Sequence, residues 1–97
     1  MMDRTARLAQ SLTDAASLLR AHQVHNWPEQ LEKYATRIQS DDPGATSQLL
    51  DEFGGMGSLN DVWIDPRNGN LIAPDQIQPV NARLRQLLSQ IYELAKP

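Results

Sequence analysis

The sequence predicts a mainly α fold, a small helical bundle ordered helix, helix, short helix, β-hairpin, long C-terminal helix. Three observations predict it. Apolar residues recur at steps of three and four along three long stretches, the period of a helix with one buried face. Asn26 ahead of Pro28, and Asp42 ahead of Pro43, punctuate those stretches as helix starts. The 97 residues contain no Cys, so a disulfide scaffold is excluded and the core must come from packed helices. The length suits a single domain, residues 1–97.

The first helix is expected over residues 3–22. Leu8, Leu12, Ala15, Ala16 and Leu19 form its apolar stripe. Asp3 and Arg20 sit at the ends that the helix dipole favours. The second helix is expected to start at Asn26-Trp27-Pro28-Glu29, with Asn26 as the cap, and to run to Gln39. Trp27, Leu31, Tyr34, Ala35 and Ile38 repeat the spacing. A short third helix, residues 43–53, turns Leu49, Leu50 and Phe53 inward. Gly54 is expected to end it in the left-handed conformation.

The segment Gly54-Gly55-Met56-Gly57-Ser58-Leu59-Asn60-Asp61 holds three of the five glycines in four positions. Two short apolar runs follow, Val62-Trp63-Ile64 and Leu71-Ile72, around the turn-forming Asp65-Pro66-Arg67-Asn68-Gly69-Asn70. They predict a β-hairpin at residues 62–72. The closing helix is expected from Pro74-Asp75 to Ala95. Ile77, Val80, Leu84, Leu87, Leu88, Ile91 and Ala95 carry its stripe, and Pro79 is the one discordant residue.

Charge is unevenly laid out. The net charge is −3, yet residues 38–66 contain no Lys or Arg and hold Asp41, Asp42, Asp51, Glu52, Asp61 and Asp65. That middle carries −6, which leaves +3 for the remainder. A nucleic-acid backbone requires a basic stripe, so no nucleic-acid partner is expected. No uninterrupted apolar run exceeds three residues, as in Val62-Trp63-Ile64, so no membrane span is expected. No apolar leader follows Met1-Met2-Asp3-Arg4, and the expected compartment is the cytoplasm.

Chemistry-bearing motifs are weak. The glycine segment lacks the Lys of a P-loop and is not a GxGxxG turn leading from a strand into a helix. His22 and His25 have no third ligand nearby and read as exposed or capping residues, not a metal site. The carboxylate pairs Asp51/Glu52 and Asp61/Asp65 belong to a chain with little room for a cleft. There is no Cys nucleophile, and Ser58 has no recognisable His base. No enzymatic activity and no cofactor are therefore expected.

The stretch Phe53-Gly54-Gly55-Met56-Gly57-Ser58-Leu59-Asn60-Asp61 resembles a family of small uncharacterised bacterial helical proteins. Their shared features are an F-G-G-M-G-S-x-N-D segment and a closing amphipathic helix. The run from Val80-Asn81-Ala82-Arg83 through Ile91-Tyr92-Glu93-Leu94-Ala95 is similar to that closing helix. The resemblance covers about residues 8–96 and implies the helical fold. No activity or residue role comes with it.

The expected function is binding to a protein partner in the manner of an immunity protein or antitoxin. The acidic surface would meet a basic partner, such as a toxin domain. The expected contact residues are Asp51, Glu52, Asn60, Asp61 and Asp65, with Met56, Leu59 and Trp63 as apolar anchors. The first alternative is a self-associating regulatory or housekeeping protein, a homodimer through Leu87-Leu88 and Ile91-Tyr92 of the last helix. The second is a small enzyme using the glycine loop and its carboxylates.

Overall fold

The computed structural model describes residues 3–54 and 57–97. Its elements are α1 (Arg4–Ala21), α2 (Pro28–Gln39), α3 (Ala45–Asp51) and α4 (Ile77–Ala95), with single 3-10 turns at Leu59–Asp61, Pro66–Asn68 and Pro74–Gln76. α1 is the central helix. Its stripe of Leu8, Leu12, Ala15, Ala16 and Leu19 is buried. α2 packs on one side of it through Leu31, Ala35 and Ile38, and α4 on the other through Leu84, Leu87, Leu88 and Ile91. α3 bridges α2 and α4, and Leu49 closes the core between them. The result is a flattened body of 40 × 31 × 19 Å.

Helix ends follow local chemistry. Asp3 caps α1, its carboxylate accepting from Ala6 N at 2.8 Å. Arg4 then reaches the far end of α4, donating to the carbonyls of Leu94 (2.7 Å), Glu93 and Lys96. Those carbonyls have no acceptor role inside the helix, so the arginine ties two chain ends together. Asp42 does two things ahead of α3. One carboxylate oxygen accepts from Gly44 N at 3.0 Å and the other from Arg37 Nε at 2.8 Å. α4 begins after the Pro74–Gln76 turn, which places Pro79 third in the helix. An N–H there would lack an intrahelical partner, so the proline breaks no bond.

Three expectations are corrected here. Asn26 does not cap α2. Trp27 holds the cap position, at φ 86° and ψ −42°, with no side-chain cap bond. Its carbonyl accepts from Leu31 N at 2.8 Å, and its ring packs on the core. The residue before a proline is kept out of the helical region, and here it is displaced to positive φ. Gly54 does not adopt the left-handed conformation. α3 ends at Asp51 through i, i+3 bonds, Glu52 N to Leu49 O, Phe53 N to Leu50 O and Gly54 N to Asp51 O.

The third correction is the largest: the β-hairpin at 62–72 is absent, and no strand exists among the described residues. The turn is present. Asp65 caps it by accepting from Arg67 N, and Gly69 closes it at φ 80°. The two arms diverge because each has found other partners. The Asn81 carboxamide of α4 accepts from Ile64 N at 2.8 Å and donates to Ile64 O at 2.8 Å, as a neighbouring strand would. Arg85, also on α4, donates to Asn60 O at 2.6 Å and Val62 O at 2.5 Å. Asn68 takes Trp63 O at 2.8 Å. The second arm docks on the end of α1: Leu71 N donates to His22 O at 2.9 Å, and His22 Nδ1 lies 2.8 Å from Leu71 O. Side chains thus satisfy groups that a strand ladder would otherwise have to satisfy.

Candidate functional site

The extended residues 62–64 alternate in direction, as any β-region backbone does. Ile64 therefore points into the core and Trp63 points away from it. Ile64 is fully buried, whereas Trp63 is 39% exposed. The carbonyls on both sides of the indole are held by Arg85, Asn68 and Asn81. A large aromatic ring is thus presented to solvent from a fixed backbone.

Trp63 lines a groove of about 520 Å³. One wall is residues 23–27, the connection between α1 and α2. The other is residues 61–63 and 68–70. The connection wall contains two strained residues, Gln23 at φ 59° and Trp27 at φ 86°. Such conformations cost of order 1–3 kcal/mol each and persist where surrounding structure over-determines them. The His22–Leu71 clasp and the packing of Trp27 on the core supply that determination. His25, Asn26 and Trp27 also line an adjoining hollow of about 480 Å³, whose other side includes Gln30 and Gly57. Both tryptophans of the chain therefore face one groove.

The groove's chemistry is aromatic and amide. Gln23, Asn26, Asn68 and Asn70 line it, with Asp61 and His25 as its ionisable residues. Asp61 is exposed, and its Oδ2 accepts from Gly57 N at 2.7 Å. It also favours the charged form of Arg85, whose pKa burial pulls below the usual arginine value. Among the described residues no three His, Cys, Asp or Glu side chains lie together as a metal site would need.

The residues singled out in the sequence fall in different places. Asp61 and Trp63 line the groove. Asn60 is exposed beside it, with its Nδ2 donating to Phe53 O at 3.0 Å. Asp51 is exposed on α3, and neither it nor Glu52 lines the groove. Glu52 is half-buried and accepts from Gln30 at 3.1 Å. Together with burial, its charge raises the pKa of Tyr34. Leu59 is 0% exposed and belongs to the core, so it is no surface anchor. Asp65 is 5% exposed and faces its own turn, not a partner. The Arg67 side chain and backbone N–H hold the Asp65 carboxyl down at about 2, from an ordinary 3.8. Met56 lies outside the described residues.

Ion pairing also trims the acidic middle. Arg37 and Arg67, which bound the stretch in sequence, fold back onto Asp42 (2.8 Å) and Asp65 (3.0 Å). Asp41, Asp51, Glu52 and Asp61 remain of the six. The groove residues that the sequence reading did not single out are Gln23, Asn26, Trp27, Asn68 and Asn70. The one sequence signal pointing to them is a tryptophan directly before a helix-starting proline.

No curated protein and no solved structure matches the chain significantly. A family model matches residues 20–73. That stretch carries both walls of the groove and leaves out most of α1 and all of α4. The match covers more than half of the chain, which therefore belongs to the family described as a domain of unknown function, DUF6966.

Proposed function

We propose that the chain is a non-enzymatic protein-binding module that covers a basic surface of a partner, in the manner of a bacterial immunity protein or antitoxin. One observation carries the reading: Trp63 is 39% exposed, and its own backbone and its neighbours' are fixed by side-chain hydrogen bonds. Tryptophan on a rigid surface is the residue type that most often dominates binding energy, because its ring buries a large area with few torsions to freeze. Asp61 stands two residues away, where it would guide a cationic partner toward the ring. The glycine segment supports the same reading. Leu59 N donates to Glu52 O and Asn60 Nδ2 donates to Phe53 O, so its ends are pinned beside the groove. Resemblance to small bacterial helical proteins through that segment is consistent with a bacterial cytoplasmic role.

The self-association reading has less to stand on. Leu87, Leu88 and Ile91 are buried within the single chain, which leaves Tyr92 as the exposed large apolar residue of α4. Tyr92 itself packs edge-on against Phe53, with ring centroids 5.4 Å apart.

The test is capture of the partner from the native host on the immobilised chain, identification of it, and measurement of its affinity for variants. Trp63→Ala is expected to weaken binding by about 30-fold or more, the mark of a hot spot. Asp61→Lys is expected to slow association and to flatten its salt dependence. A partner that binds both variants as tightly as the parent chain places the binding surface elsewhere.

A further inference from the structure

The groove offers more than an indole. Four carboxamides line it, and each has hydrogen-bonding capacity left over among the described residues. Gln23 and Asn26 make no hydrogen bond through their side chains, Asn68 uses only Nδ2, and Asn70 uses only Oδ1. A carboxamide presents one acceptor and donors in the same plane, which matches the N–H and C=O of an extended peptide. This chain already uses that match: Asn81 holds both polar groups of Ile64, and Asn68 holds Trp63 O. The acidic group in the groove is the carboxylate of Asp61, and the nearby Arg67 is drawn to Asp65. In the adjoining hollow, Glu29 pairs with Lys33 at 3.5 Å.

We infer that the groove between residues 23–27 on one side and 61–63 and 68–70 on the other binds an extended, cationic peptide segment. Its backbone would be read by the free carboxamides and its apolar side chains would lie on Trp27 and Trp63. This rests on the protein-binding reading and specifies the element of the partner that the site takes. Recognition through main-chain groups gives affinity, while alternate side chains give specificity, as in other modes of extended-peptide capture. A sugar would also stack on indoles, and it is the alternative ligand that the experiment separates.

The probe is a blocked hexapeptide of alternating Lys and Leu, titrated into the full chain labelled with ¹⁵N. Because the chain has two Trp and both line the groove, the two indole N–H signals report the site directly. The peptide is expected to shift both indole signals and the carboxamide signals of Asn26, Asn68 and Asn70. Asn26→Ala, at an exposed position whose side chain has no hydrogen bond among the described residues, is expected to weaken it by about fivefold, the value of one hydrogen bond. The same peptide methylated on its backbone nitrogens is expected to lose about tenfold or more. Equal binding of the methylated peptide overturns the main-chain reading. So does a groove that answers to chitohexaose and not to the peptide, or to neither. The two levels separate cleanly. A partner protein lost with Trp63→Ala while the peptide leaves the indoles unmoved sinks the peptide mode alone. A partner indifferent to Trp63→Ala sinks the protein-binding reading of this surface.

Discussion

At the scale of single residues, two buried polar side chains decide how the middle of the chain lies. Asn81 is 1% exposed and satisfies Ile64 in both directions while also donating to Ile77 O at 2.7 Å. Asn81→Ala strands a buried N–H and a buried C=O, each worth about 1–3 kcal/mol. A loss of roughly 2–4 kcal/mol in urea unfolding is expected, with the Ile64 amide losing its hydrogen-exchange protection. Asp65 makes a prediction in pH. Its pKa is depressed in the folded state to about 2 from an ordinary 3.8. The stability it contributes is therefore complete above pH 3.8 and is lost as pH falls through the folded value. Thermal melts should show that Asp65→Asn is less stable than the parent at neutral pH. The gap should narrow between pH 4 and 2 as the parent's carboxylate takes up its proton. A gap that stays constant across that window would mean that Asp65 acts through its size and not its charge.

At the scale of elements, the three long helices were legible because periodicity is local: Leu8, Leu12 and Leu19 declare one face of α1 with no knowledge of its neighbours. The hairpin failed for the opposite reason. Residues 62–64 and 71–72 have strand-like composition, but strand pairing is a contest among acceptors. Asn81, Arg85 and His22 won it from elsewhere in the chain. In the site, Trp63 was visible as an apolar residue in an acidic stretch. Trp27 read as part of the apolar stripe of the second helix, since nothing in Asn26-Trp27-Pro28 announces a positive φ. Leu59 was misplaced because an isolated leucine beside glycines carries no periodic signal of burial. Glycine roles divide in the same way. Gly69 sits at φ 80° with open space where a Cβ would be, so Gly69→Ala meets backbone strain alone and is expected to lower stability by about 1–2 kcal/mol. Gly54 has an ordinary φ and its Cβ would meet Asp51 O at 3.8 Å, so Gly54→Ala should stay within about 0.5 kcal/mol. Equal costs for the two would remove the distinction between the turn glycine and the helix-end glycine.

At the scale of the whole molecule, the family match and the core occupy different parts of the chain. Residues 20–73 hold the groove. Of the eighteen buried apolar side chains among the described residues, six lie at residues 8–19 and five at residues 84–95, which leaves seven within 20–73. α1 contributes the central stripe, and α4 contributes both the opposite wall of the core and the Asn81 and Arg85 bonds that fix residues 60–64. A fragment of that length buries too small a fraction of its surface to offset the entropy of ordering it. The fragment 20–73 is therefore expected to melt without a cooperative transition and to give poorly dispersed amide signals, while the full chain unfolds in one step. Supplying residues 74–97 is not expected to rescue it, because α4 packs on α1 and would find its partner missing. A cooperative melt from the fragment would show that Leu31, Ile38, Leu49, Leu59 and Ile64 suffice as a core. The groove would then be a self-standing unit, with α1 and α4 reduced to a brace around it.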